Sequence, residues 1–117
     1  MKMRFFAAIM LAVATITAAF ASDYKDGIEY FKAGQIENAK TILERTLNDA
    51  STDKAEAYYY LGEIAFVEKN YEEAANYYAK GLEANPEYRM NLIGQGKIQL
   101  MSDPKAAAKT FKDALKG

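Results

Sequence analysis

Residues 57–86 read AYYYLGEIAFVEKNYEEAANYYAKGLEANP. Tyr58 and Leu61 stand three apart, and Tyr71, Ala74, Tyr78, Gly81 and Leu82 recur at steps of three, four, three and one, which is the spacing of one helical face. Asn70 interrupts the pattern and Asn85-Pro86 stops it, because proline is at home in a first helical turn and not in an interior. The stretch therefore predicts two helices, about Lys54 to Glu68 and Tyr71 to Ala84, with Asn70 capping the second. A turn this short forces them into an antiparallel hairpin.

Working outward, the same grammar repeats. A first helix is predicted from Ser22 or Asp23 to about Ala33, with Tyr24, Ile28 and Phe31 among its apolar residues and Gly34 ending it. A second runs from about Ile36 to Ala50 and buries Ile36, Ala39, Ile42 or Leu43, Thr46 and Leu47. Ser51-Thr52-Asp53 punctuates, and Asp53 with Glu56 three residues on has the form of a capping box. Beyond the quoted stretch, a fifth helix is predicted from Pro86 to about Met101, and Asp103-Pro104 opens a sixth from Lys105 to Lys116. No stretch sustains strand alternation, so the fold class is all-α.

The hairpins are self-similar. Gly27 and Gly62 stand 35 residues apart, as do Ala39 and Ala74, and Thr46 and Gly81. Ala107, Phe111 and Ala114 echo Ala74, Tyr78 and Gly81 at identical spacing. Small residues at Ala39, Ala74 and Gly62 let the helices of a hairpin approach closely. Thr46, Gly81 and Ala114 sit two turns further on, where the next hairpin must dock. A stacked solenoid needs small residues at such fixed offsets.

The middle hairpin, Tyr58-x-x-Leu61-Gly62 … Asn70-Tyr71-x-x-Ala74 … Tyr78-x-x-Gly81 … Pro86, resembles a tetratricopeptide repeat. The first is similar through Gly27, Tyr30, Gly34, Ala39, Leu43 and Thr46, with Asp26 where a leucine is usual. The third is looser: either Gly94 or Gly96 could be the helix glycine. The resemblance implies a right-handed α-solenoid of three helix-turn-helix hairpins, with units of about 22–52, 53–86 and 87–117.

It also implies a use for the tyrosines. Tyr58, Tyr71 and Tyr78 fall on core stripes, and Tyr77 falls one residue off, toward the convex outer face. In arrays of this family the other side of the first helix of each unit lines a concave groove that takes extended or helical peptides. That mapping selects Tyr59, Tyr60, Glu63 and Val67 in the middle unit and Tyr24, Lys25, Ile28 and Lys32 in the first. In the third it selects Ile93 and Lys97 if Gly96 is the helix glycine, or Asn91 and Gln95 if it is Gly94. A clamp of lysines and asparagines for a partner's C-terminal carboxylate, known in the family, is not matched, since Tyr24 and Ile28 stand at its places. The expected partner is a protein or peptide lying in this groove. The rival is a self-associating or membrane-tethered scaffold that uses the array ends and convex face, with a homodimer as one form.

The first 21 residues read differently. Lys2 and Arg4 precede an uncharged, alanine-rich run that ends in Ala19-Phe20-Ala21, the form of a signal peptide cleaved after Ala21. Export to a periplasm or the exterior is expected, with no membrane span left after cleavage. An uncleaved anchor would want about 20 strongly apolar residues. Losing Lys2 and Arg4 leaves 13 basic against 16 acidic residues, a formal charge of −3, which does not favour nucleic acid.

The chain has no histidine and no cysteine, so His-based general bases, thiol nucleophiles and the usual metal clusters are out of reach. No cofactor and no enzymatic activity are expected. Lys105, Lys109, Lys112 and Lys116 form a basic stripe on the last predicted helix, which by default is a solvated face.

Overall fold

A computed structural model describes residues 23–116. The leader, Met1–Ala21, lies outside the described residues. Within them the chain forms six helices: α1 (Tyr24–Lys32), α2 (Ile36–Thr46), α3 (Lys54–Val67), α4 (Tyr71–Ala84), α5 (Met90–Leu100) and α6 (Pro104–Ala114). No strand occurs among the described residues. Consecutive helices pair as hairpins, α1 with α2, α3 with α4 and α5 with α6, and each hairpin packs on the next. The architecture is a helical repeat solenoid. No helix among the described residues is long and apolar enough to cross a membrane.

Local chemistry fixes the boundaries. Asp23 caps α1 in a full capping box: its carboxylate accepts from the Lys25 and Asp26 amides, while Asp26 accepts from the Asp23 amide. Asp26, out of place for a core leucine, is thus there to close the cap. At α3 the expected box is only half made. Asp53 accepts from the Glu56 amide at 3.2 Å, but Glu56 turns toward the Tyr24 hydroxyl instead of returning to Asp53. Asp103 caps α6 through the Ala106 amide.

Asn70 makes no cap bond with its side chain; it donates to Glu73 instead. The chain before it is closed from the other side. The Lys69 and Asn70 amides donate back to the Phe66 and Ala65 carbonyls, as those of Gly34 and Gln35 do to Phe31 and Tyr30. Both hairpins therefore turn through the same left-handed helix stop. Glycine holds it in one (Gly34, φ 80°) and a lysine in the other (Lys69, φ 63°).

Two boundaries differ from the sequence expectation. The second helix stops at Thr46, because the Thr52 hydroxyl takes the Thr46 carbonyl at 2.6 Å and closes a turn there. The fifth begins at Met90, not Pro86. The Asn85 side chain accepts from the Glu87 amide and the Tyr88 amide donates to the Asn85 carbonyl, so Pro86 belongs to a self-closed turn.

The glycines set the repeat register. A Cβ at Gly27 would stand 2.8 Å from Leu43, and one at Gly62 would stand 2.5 Å from the Tyr78 ring. Gly96 holds the matching place against Phe111. Gly96 is therefore the helix glycine of the third hairpin, one residue out of step with the others. Gly94 has a different job: it faces Tyr78 from α5, so that ring lies between Gly62 and Gly94. Gly81 meets Asn91, which donates to the Ala55 carbonyl at 3.0 Å and ties α5 to α3. The small residue on α4 does receive the next hairpin. One core cluster gathers Tyr24, Ile28, Ala39, Leu43, Ala57, Leu61 and Ile64; a second holds Ala65, Ala74 and Tyr78.

Two tyrosines depart from their expected places. Tyr71, expected in the core, is exposed at the start of α4 and meets Phe66 edge-on, with ring centroids 5.3 Å apart. Tyr77, expected on the outer face, is half-buried and packs against both clusters. It lies beside Tyr58 at 6.3 Å, within the electrostatic reach of Glu44 on α2.

Candidate protein-interaction face

The first helices of the three hairpins, α1, α3 and α5, pack side by side. Their shared face carries a row of rings. Phe31 on α1 meets Tyr60 on α3 edge-on at 5.6 Å. Tyr60 meets Tyr59 at 5.0 Å, and Tyr59 meets Tyr88, in the turn before α5, at 6.1 Å. Tyr78 lies beneath, 6.2 Å from Tyr59 and fully buried. Edge-to-face packing of this kind favours each pair beyond the area it buries.

The Tyr78 hydroxyl donates to Glu63, which also accepts from Lys97 at 2.6 Å. The Lys97 ammonium stands 4.6 Å from the Phe66 ring centre, a cation–π contact. A carboxylate on α3 thus joins a buried phenol from α4 to an ammonium from α5. Burial, reinforced by Glu63, pushes the Tyr59 and Tyr78 hydroxyls well above the usual tyrosine range. Tyr88 is pushed up to about 12, first by burial and then by the charge of Glu56. These phenols stay protonated as donors and apolar surface; none is poised as a base.

The residues expected to line a groove divide into three groups. Tyr59, Tyr60, Glu63 and Lys97 are brought together, half-buried, on the face of α3 and α5. Lys25, Lys32 and Val67 are exposed at its margins, Lys32 with Glu29 at 3.8 Å and Val67 at 57% exposure. Tyr24 and Ile28 are not groove surface. Each is only 7% exposed, because α3 packs alongside α1 and covers them with Ala57, Leu61 and Ile64. They support the ring row from beneath.

Three members escaped sequence reasoning. Phe31 stood among the apolar residues of α1 with no role assigned. Tyr88 was hidden by the expectation that a helix starts at Pro86. Phe66 carried no signal beyond its hydrophobicity. Among the described residues no group of three carboxylates could hold a metal ion.

The family model for the tetratricopeptide repeat matches residues 24–89, more than half of the chain. The chain belongs to the tetratricopeptide repeat family. No curated protein matches it. Tetratricopeptide repeats generally mediate protein–protein contact, typically without catalysis, and the matched segment, residues 24–89, contains the whole ring row. In this tetratricopeptide chain the register that usually faces a groove is partly a seam between consecutive first helices.

Proposed function

We propose that this chain is an exported, non-catalytic protein-interaction module that takes a peptide or protein segment along the face of α1, α3 and α5. The observation that carries the reading is the row of half-buried rings Phe31, Tyr60, Tyr59 and Tyr88 beside the Glu63–Lys97 pair. Aromatic side chains with polar tips give large contact area at low entropic cost, which suits them to protein interfaces. Tyr59, Tyr60 and Val67 would supply apolar contact, while Lys25, Lys32, Glu63 and Lys97 set charge preference and register. The third hairpin counts as a third repeat in this reading, supported by its Gly96–Phe111 contact. The Met1–Ala21 leader supports export, and the acidic balance of residues 22–117 argues against a nucleic-acid partner.

The test is capture. The purified protein is immobilised and challenged with exported proteins of its source cell. The Tyr59→Ala/Tyr60→Ala variant and the exposed-site variant Val67→Asp run beside it, each checked for native helicity. The expected result is a partner held by the wild type, lost by the tyrosine variant and weakened by Val67→Asp. A partner held equally by all three would remove the face from the account.

A further inference from the structure

The second helices of the hairpins carry an outward stripe whose charge changes sign along the array. With Leu43, Tyr78 and Phe111 as the common register, the position six residues earlier is Glu37, Glu72 and then Lys105. The position five residues later is Asn48, Glu83 and then Lys116; the position one later is Glu44, Ala79 and Lys112. Two later, α4 has Lys80 where α6 has Asp113, which stands 3.8 Å from Lys116 of its own chain. Glu72, Lys80, Glu83, Lys105, Lys109, Lys112 and Lys116 are all exposed, and Asp113 is half-exposed. At the two ends of the stripe Lys105 and Lys116 on the α6 side answer Glu72 and Glu83 on α4, with the neutral Ala79 between them.

The spacings agree as well. Glu72 and Glu83 are eleven residues apart, and so are Lys105 and Lys116. Glu72 and Glu83 span about 16 Å of α4, and Lys105 to Lys116 runs along α6 to the residue just past its C-cap, Leu115. Two helices laid antiparallel would match both ends at once. Because α4 and α6 are successive second helices of one array, a two-fold axis between them lets each copy give its basic stripe and receive with its acidic one. Such a contact is self-complementary and closes as a dimer. Pairing α6 with α2 instead would set the acidic α4 stripes of the two copies against each other across the axis, which like charges disfavour.

We propose that this chain pairs with a second copy of itself through the outer faces of α4 and α6. Lys105 and Lys116 face the second copy's Glu83 and Glu72 in an antiparallel two-fold contact. This surface is separate from the ring row and does not rest on the groove reading. It fits a second copy better than an anionic lipid surface, because the matching acidic stripe is carried on the same molecule and would be repelled by the lipid.

The experiment is sedimentation equilibrium over a series of salt concentrations. It uses the full-length chain expressed with its own leader and purified in the form that accumulates. Two charge-reversed variants, Lys105→Glu/Lys116→Glu and Glu72→Lys/Glu83→Lys, are run alone and mixed. Far-UV circular dichroism confirms that both remain helical. The expected result is a wild-type dimer that dissociates as salt rises. Each variant alone should associate about tenfold more weakly or worse, and the mixture should regain dimer, since each supplies the charge the other lacks. A wild type that stays monomeric overturns the proposal. So does a dimer indifferent to salt or to the reversals, and so does a mixture that fails to recover. Binding of the monomeric wild type to phosphatidylglycerol vesicles would overturn it in favour of a lipid-facing stripe.

Discussion

A methyl group added at Gly62 should destabilise the fold, although helix propensity says the opposite. In an exposed helix interior, glycine to alanine stabilises by about 1 kcal/mol. At Gly62 the new Cβ would stand 2.5 Å from Tyr78 Cε1 and 2.7 Å from Cδ1. Real Cβ contacts of that length essentially never occur, so one partner must move. The ring cannot easily be that partner. Its edge lies between Gly62 and Gly94, and its hydroxyl is held by Glu63. Overpacking of a fixed core group costs about 1–3 kcal/mol, and a ring pinned at both ends puts Gly62→Ala toward the upper part of that range. Set against the propensity gain, the net loss is about 1–2 kcal/mol.

For a domain of this size each kcal/mol moves the melting midpoint by roughly 4–8 °C. Urea unfolding followed by circular dichroism should therefore show a lower midpoint at unchanged slope, and thermal melting should fall by roughly 5–15 °C. The same methyl combined with Tyr78→Leu, which installs the side chain the first hairpin uses at Leu43, should cost less than the two changes summed. The expected coupling is on the order of 1 kcal/mol. A Gly62→Ala variant that melts higher than the wild type, or one whose effect simply adds to that of Tyr78→Leu, would refute the claim that Gly62 is a close-approach position.

Three further expectations test other parts of the molecule. Lys69 holds a left-handed backbone at φ 63° where the first hairpin uses Gly34, so Lys69→Gly should stabilise by about 1 kcal/mol in urea unfolding; a loss would mean that the lysine side chain compensates for its backbone. Asn91 is fully buried, with Nδ2 donating to the Ala55 carbonyl and Oδ1 without a partner. Asn91→Asp should cost roughly 3 kcal/mol or more by placing an unpaired acid there and removing the donor, and an undiminished unfolding midpoint would mean the site opens to water. The raised phenols make the fold sensitive to alkali. Their stabilisation is complete below the unfolded tyrosine value of about 10 and is lost as pH rises, for Tyr88 through about 12 and for Tyr59 and Tyr78 beyond that. Ultraviolet titration should show tyrosine ionisation and helix loss together above about pH 10; tyrosines that all ionise near 10 with helicity intact would contradict the burial assigned to them.

Helix periods and punctuation were legible because each depends only on nearby residues. The apolar spacing of α3 and α4, the stops at Gly34 and Asn85-Pro86 and the cap at Asp53 are decided within a few positions. The repeat register was legible for the same reason at long range: Gly27 and Gly62 fall 35 residues apart, and both face the large residue of the second helix. Where two local choices tied, as at Gly94 and Gly96, the pattern could not decide. The tie breaks only when Phe111 is seen against Gly96 and Tyr78 against Gly94, and both contacts cross between helices.

The candidate interaction face was legible only in part, for a physical reason. Residues at one register of successive first helices share a face, but the sequence does not say how closely those helices lie. In this array they lie close enough that Tyr24 and Ile28 close onto α3, and Glu63 closes onto Lys97 of α5. What the pattern marked as an open groove is therefore a seam between α1 and α3 and a bridged seam between α3 and α5. In the seam Tyr59 and Tyr60 keep partial exposure, while Tyr24 and Ile28 lose theirs beneath α3. The same geometry explains the choice of tyrosine. A phenylalanine at Tyr59 or Tyr60 would present an apolar tip, as Phe31 does, whereas a tyrosine fills the seam with its ring and can carry a hydroxyl to a polar partner, as Tyr78 beneath the row does in reaching Glu63. Tyr59 and Tyr60 are thus packed along their rings and partly exposed at their ends.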